Sequence, residues 1–206
     1  MLCVELEPDQ TVMFEPQALV WKEASIRLHE GASELMQADG PGRCGFGRGF
    51  PGEIFPMPLE LGEAVEIRAD HFLFGIGVER AAVRLQDLGD RLSGGAGLAV
   101  DRFTGGPGGG VVWVQARGDL FERGLMQGEP FDIRAEFWLC KDAAVEVQAI
   151  FPTGGADGPA EIACLRFIGR GRVAFQTGAP PPILPPPAAS KPGPRYDFGI
   201  GRLRSG

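Results

Sequence analysis

Residues Gly62–Leu73 read GEAVEIRADHFL, and Gly128–Leu139 read GEPFDIRAEFWL. A repeat this close inside one chain constrains the fold strongly, because each copy has to form the same small unit and bury its apolar face against its neighbours. A degenerate copy, PDQTVMFEPQALV, runs from Pro8 to Val20. A second element also returns. Arg102-Phe103-Thr104-Gly105 leads to Val112-Trp113-Val114-Gln115, and Arg166-Phe167-Ile168-Gly169 leads to Val173-Ala174-Phe175-Gln176. The repetition is pseudo-threefold, with the N-terminal unit the least complete.

Inside each copy the apolar residues alternate. Val65, Ile67 and Ala69 share one face and Glu66 and Arg68 the other; Phe131, Ile133 and Ala135 oppose Asp132 and Arg134 in the same way. In the first copy Val12 and Phe14 are expected inward, Met13 and Glu15 outward. A period of two with one apolar face is the signature of an antiparallel strand covering a core. The chain has no asparagine, so glycine is expected to supply the left-handed turn conformations. The expected fold class is all-β, with short antiparallel strand units in a β-sandwich or double-stranded β-helix-like array. Ala32–Gln37 and Ala81–Leu92 are the two stretches that admit helical turns, and neither carries an amphipathic stripe.

Composition changes at Ala179 to a Pro- and Gly-rich sequence. The organisation expected is a single β-repeat domain over 1–178 and a tail over 179–206. Proline removes backbone donors and fixes φ, so the tail reads as an extended spacer or as a docking arm carrying Tyr196, Phe198, Ile200 and Leu203. The R-F-x-G elements read as hairpins. The last of them, Ala163–Gln176, is expected to close the array by packing Leu165 or Phe167, with Val173 or Phe175, against Val12 and Phe14.

The net charge of -7 and the presence of just three lysines, Lys22, Lys141 and Lys191, argue against a phosphate-backbone partner, so no nucleic acid is expected. No apolar run reaches the roughly 18 residues of a membrane span. Glu5, Glu7 and Asp9 stand where a secretory signal would carry positive charge, and a cytoplasmic location is expected. Cys3, Cys44, Cys140 and Cys164 are widely spaced, and with His29 and His71 they form no recognisable zinc motif. They read as reduced thiols.

Other motifs yield no chemistry. Gly40–Gly45, GPGRCG, satisfies G-x-G-x-x-G formally, but GRGFPGEIFPMP after it cannot form the helix that meets a pyrophosphate, so a flexible turn is expected. Gly105–Gly110 lacks the Gly-Lys-Ser/Thr continuation of a phosphate cradle and reads as an expanded hairpin loop. Phe137 occupies the repeat position of His71, which makes His71 structural. The paired carboxylates Glu63 with Asp70 and Glu129 with Glu136 recur symmetrically, as structural groups do. Trp21, Trp113 and Trp138 read as core or interface residues. No catalytic, cofactor-binding or metal residue is assigned and no cofactor is expected. The functional expectation is a non-enzymatic scaffold or binding protein working as a homo-oligomer or with a protein partner. The alternatives are an RNA binder and a small-molecule or sugar-binding β-barrel.

The succession Leu6–Val12, FPGEIFPMPL (Phe50–Leu59), GEAVEIRADHFLFGIGVE (Gly62–Glu79), GGAGLAVDRFTG (Gly94–Gly105), VVWVQARG (Val111–Gly118) and CLRFIGRGRVAFQT (Cys164–Thr177) resembles the altered-inheritance-of-mitochondria family over roughly residues 1–178. That family is also known as a bacterial domain of unknown function and is described as similar in fold to the tryptophan RNA-binding attenuation protein. The resemblance implies repeated double-stranded β-helix units and carries over no catalytic residues.

Overall fold

The Gly-Glu repeats fold as pairs of strands joined by a tight reversal, and the surrounding sequence completes three equivalent units. The computed structural model describes residues 1–31, 34–68, 70–85, 98–150 and 164–178. The first unit holds β1 (Leu2–Leu6), β2 (Thr11–Phe14), β3 (Leu19–Lys22), β4 (Arg27–Glu30), β5 (Met36–Asp39) and β6 (Gly42–Phe46). The second holds β7 (Ile54–Leu59), β8 (Ala64–Arg68), β9 (Phe72–Ile76), β10 (Val78–Leu85), β11 (Leu98–Gly105) and β12 (Gly110–Gln115). The third holds β13 (Leu120–Leu125), β14 (Phe131–Arg134), β15 (Trp138–Asp142), β16 (Glu146–Ile150), β17 (Cys164–Ile168) and β18 (Gly171–Gln176).

Pairing is antiparallel and identical in the three units. The sixth strand lies between the first and third, as β6 between β1 and β3, and the fifth lies between the second and fourth, as β5 between β2 and β4. Each unit therefore makes two half-sheets of three strands. Its third strand carries a bulge at one position, where Val20, Leu73 and Leu139 are skipped in the register. Local turns repeat as well. The side chains of Gln10, Glu63 and Glu129 accept from the backbone N–H groups of Glu7, Glu60 and Met126 three residues earlier. The reversal inside each repeat is closed by Ala18, His71 and Phe137 donating to the carbonyls of Glu15, Arg68 and Arg134. Gly62 and Gly128 take φ of 77° and 80° at the turn before each Gly-Glu strand, a conformation that favours glycine.

Half-sheets of neighbouring units join edge to edge. β2 pairs with β9, and β8 with β15, giving two six-stranded sheets, β4-β5-β2-β9-β12-β7 and β10-β11-β8-β15-β18-β13. Among the described residues there is no α-helix, and the sheets form no closed barrel. Three apolar clusters run along the array, each shared between neighbouring units. Phe14, Phe46 and Phe74 centre the first, Phe72, Phe103 and Ile67 the middle one, and Trp138, Leu165 and Phe167 the last. Fully burying each such side chain contributes about 1.5–3 kcal/mol.

The all-β expectation stands, and several details differ. Gln37 and Ala81–Leu85 lie in strands β5 and β10, not in helical turns; Ala32, Ser33 and 86–92 lie outside the described residues. Gly42–Gly45 belongs to β6, with Cys44 fully buried, so GPGRCG is sheet for most of its length. The R-F-x-G elements are not hairpins, because β11 and β12 sit in different sheets, as do β17 and β18, and Gly105–Gly110 and Gly169–Gly171 bridge between layers. Glu66, expected outward, is buried, since β11 and β15 flank its strand and bring Arg102 and Lys141 onto its carboxylate. The proposed closure does not occur: Leu165, Phe167 and Val173 pack in the third cluster, and Val12 and Phe14 in the first. Strands β5 and β6 already complete the N-terminal unit. The tail, 179–206, lies outside the described residues.

Candidate assembly interface

Two half-sheets are left over. β3 forms one edge of β1-β6-β3 and β1 the other, and β14 forms one edge of β14-β17-β16 and β16 the other. The two internal sheets are each built from a 4-5-2 half of one unit and a 3-6-1 half of the next. β16-β17-β14 and β3-β6-β1 are the two halves of a third such sheet, and they are not paired with each other.

The internal junctions show what such an edge contact contains. At the second junction Ile67 lies opposite Cys140 and Glu66 opposite Lys141. The Glu66 carboxylate is 2 % exposed and sits 2.7 Å from Lys141 Nζ, with Arg102 as its second cation. Burial pushes the Glu66 carboxyl up, but hydrogen bonds and charge from Lys141 and Arg102 outweigh it and hold the group below its ordinary value. Arg68 reaches across to the carbonyls of Ala135, Glu136 and Trp138 at 3.2–3.3 Å. At the first junction Phe14 faces Phe74 and Met13 faces Gly75. There Arg48, paired with Glu15, holds the Phe72 carbonyl; burial raises the Glu15 carboxyl despite that partner. A glutamine clamps each junction. Gln115 Oε1 accepts from Arg48 N, and Gln176 Oε1 from Arg117 N, both at 2.8 Å.

The edges at β3 and β14 present the same positions with no strand beside them among the described residues. Asp132 occupies the place of Glu66; its carboxylate is 42 % exposed and held by Arg166 at 2.7 Å, which lowers its pKa. Lys22 occupies the place of Lys141, exposed, with Nζ 2.9 Å from the Ile26 carbonyl. Beside these stand exposed Val20 and Trp21 on β3 and a shallow cavity of about 360 Å³ along β14, lined by Phe131, Ile133, Phe137 and Phe175.

The residues weighed for chemistry are dispersed or tied down. His71 is fully buried, its Nδ1 2.8 Å from the Gln115 carbonyl and its Nε2 3.4 Å from Asp70; burial pushes its pKa below the ordinary value. His29 pairs with Asp39 on the surface. Glu63 and Glu129 cap turns, Asp70 lies near Arg68 and Arg117, and Glu136 holds Arg134. All four cysteines are free; burial pushes the Cys44 thiol up to about 11 and raises that of Cys140 too. Among the described residues no three His, Cys, Asp or Glu side chains gather around a common point that could hold a metal ion. Trp138 is buried, Trp113 stacks on Phe74, and Trp21 is 36 % exposed at the edge. Sequence reading missed Lys22, Lys141 and Asp132 as a set. The usable signal was the match of Leu19-Val20-Trp21-Lys22 to Trp138-Leu139-Cys140-Lys141, bulge included.

Over residues 1–178 the chain matches the family described as Mitochondrial biogenesis AIM24, and it belongs to that family. Among solved structures it is similar to the protein SPYM3_0169 from Streptococcus pyogenes, at 17 % identity and a TM-score of 0.69, covering 86 % of this chain and 88 % of that one. No curated protein matches.

Proposed function

We propose that this AIM24-family chain is a non-enzymatic β-repeat scaffold that works by associating with itself or with protein partners. The observation that supports this most is the pair of half-sheets ending in β3 and β14, each with backbone donors and acceptors and apolar side chains at an edge that no other described strand pairs with. Sheet edges of this kind template pairing with another chain. The reading of no catalysis is supported by His71, whose Nδ1 is spent on a backbone carbonyl, and by carboxylates placed as turn caps and ion pairs.

Binding RNA is disfavoured by the way the arginines are used. Arg43, Arg48, Arg68, Arg102, Arg134 and Arg166 each stand against a carboxylate, respectively of Glu23, Glu15, Asp70, Glu66, Glu136 and Asp132. Such pairs leave little net charge to release counterions from a phosphate backbone. A cytoplasmic location belongs to the same proposal, supported by four free thiols; no helix among the described residues is long and apolar enough to cross a membrane.

Light scattering from micromolar to millimolar chain tests the proposal. The expected result is a mass that rises with concentration above that of a single chain. A single chain at every concentration, together with edges that bind no protein, would remove the reading.

A further inference from the structure

We propose that the partner of the β14 edge is β3 of a second copy, joined head to tail in one defined register that rebuilds the missing six-stranded sheet. The inference rests on the scaffold reading above and adds the occupant, the register and the residues that select it.

The register follows from the two junctions already inside the chain. Phe14 opposite Phe74 and Ile67 opposite Cys140 are the same pair in successive units, as are Met13 opposite Gly75 and Glu66 opposite Lys141. The bulge fixes the correspondence independently, because Leu19, Phe72 and Trp138 precede it and Trp21, Phe74 and Cys140 follow it. Carrying the rule one unit further sets Ile133 of one copy opposite Trp21 of the next, and Asp132 opposite Lys22. Asp132 is then flanked by Arg166 and an incoming ammonium, as Glu66 is flanked by Arg102 and Lys141. Arg134, in the place of Arg68, exchanges part of its contact with Glu136 for the carbonyl of Leu19, as Arg68 holds that of Trp138. The apolar hollow beside Phe131 and Phe137 is filled by the incoming strand.

The two edges are thus complementary in sign and differ from each other, so the contact is heterologous and propagates as a ring or a filament instead of stopping at a twofold dimer. One element is missing. Gly47 stands where Gln115 and Gln176 stand, since Gly47, Gln115 and Gln176 donate equivalently to the carbonyls of Ala18, His71 and Phe137. The intermolecular junction lacks the glutamine clamp and is weaker than the internal ones, which makes assembly concentration-dependent.

Charge reversal tests the register in the full-length chain. Lys22→Glu and Asp132→Lys each place like charges across the junction, so each variant alone should associate at least tenfold more weakly than the wild type by sedimentation. An equimolar mixture should recover assembly, because every copy then meets an opposite charge at both ends. Far-ultraviolet dichroism of the dilute variants, altered at exposed positions, reports that they remain folded. Wild-type-like assembly of the single variants, or no recovery on mixing, overturns the register while leaving self-association standing. A chain that stays single at all concentrations and forms an intramolecular disulfide in Lys22→Cys/Asp132→Cys overturns it in favour of closure within one copy.

Discussion

Replacing Lys141 by methionine removes one charge from the buried junction while keeping an unbranched side chain of similar volume. Lys141 is 3 % exposed and its ammonium lies 2.7 Å from a carboxylate that is itself 2 % exposed. At that distance the attraction is about 6 kcal/mol with an effective dielectric of about 20. Relief from dehydrating the ammonium offsets part of this, and removing one partner of a buried pair costs roughly 3–5 kcal/mol because the other charge stays behind. Arg102 remains on Glu66, which sets the expectation toward the lower end. The loss corresponds to a fall in Tm of roughly 6–20 °C for a domain of this size. Lys22→Met changes the same repeat position at an open edge, where exposed interactions contribute about 0–1 kcal/mol. Urea unfolding of both variants in dilute solution at neutral pH measures the difference. Equal losses, or a Lys141→Met protein as stable as the wild type, would refute the assignment of Lys141 as a buried junction charge.

The remaining predictions concern core, turn and pH. Trp138→Ala removes a fully buried side chain from the third cluster and should cost about 3–5 kcal/mol by urea unfolding. Gly77→Ala should destabilise by at least about 1–2 kcal/mol, since Gly77 has φ of 66° and a Cβ there meets the Gly109 carbonyl oxygen at 2.6 Å; a neutral outcome in the same assay would contradict the turn geometry. His71 is held neutral by burial, so above its ordinary value of 6.5 it adds no pH dependence, and as pH falls below 6.5 the unfolded chain takes up the proton first and stability declines. His71→Phe, which copies Phe137 of the third unit, should remove that part of the decline between pH 6.5 and 5; an unchanged slope would show that another group causes it.

Much of the architecture is readable from Val65, Ile67, Phe131 and Ile133, because alternation and repetition are direct consequences of a strand with one covered face. Ile67 and Ile133 are buried as their spacing demands. The second half of the first unit is not legible as a repeat because Gln37 and Ala38 stand where Arg102 and Phe103, or Arg166 and Phe167, make the motif visible. Side-chain chemistry diverged there while backbone pairing did not. Glu66 was misplaced for a related reason. Alternation predicts which face a residue takes, but its burial depends on whether strands flank it on both sides, and β8 lies between β11 and β15 while, among the described residues, β14 has β17 on one side alone. The edges themselves became visible once the strand order was known, since a junction between units is a long-range property of three repeats together.

Hydrogen–deuterium exchange at low and high chain concentration tests directly whether the array is open at β3 and β14 and closes by pairing with further copies. In dilute solution the amides of β14 and β3 that face outward should exchange far faster than their equivalents in β8 and β15, which are paired across the internal junction. At high concentration β3 and β14 should gain protection together, while the outer edges β1, β4, β7, β10, β13 and β16 remain unchanged. Protection of β3 and β14 already present in dilute monomer, or exchange there that no concentration slows, would contradict the account.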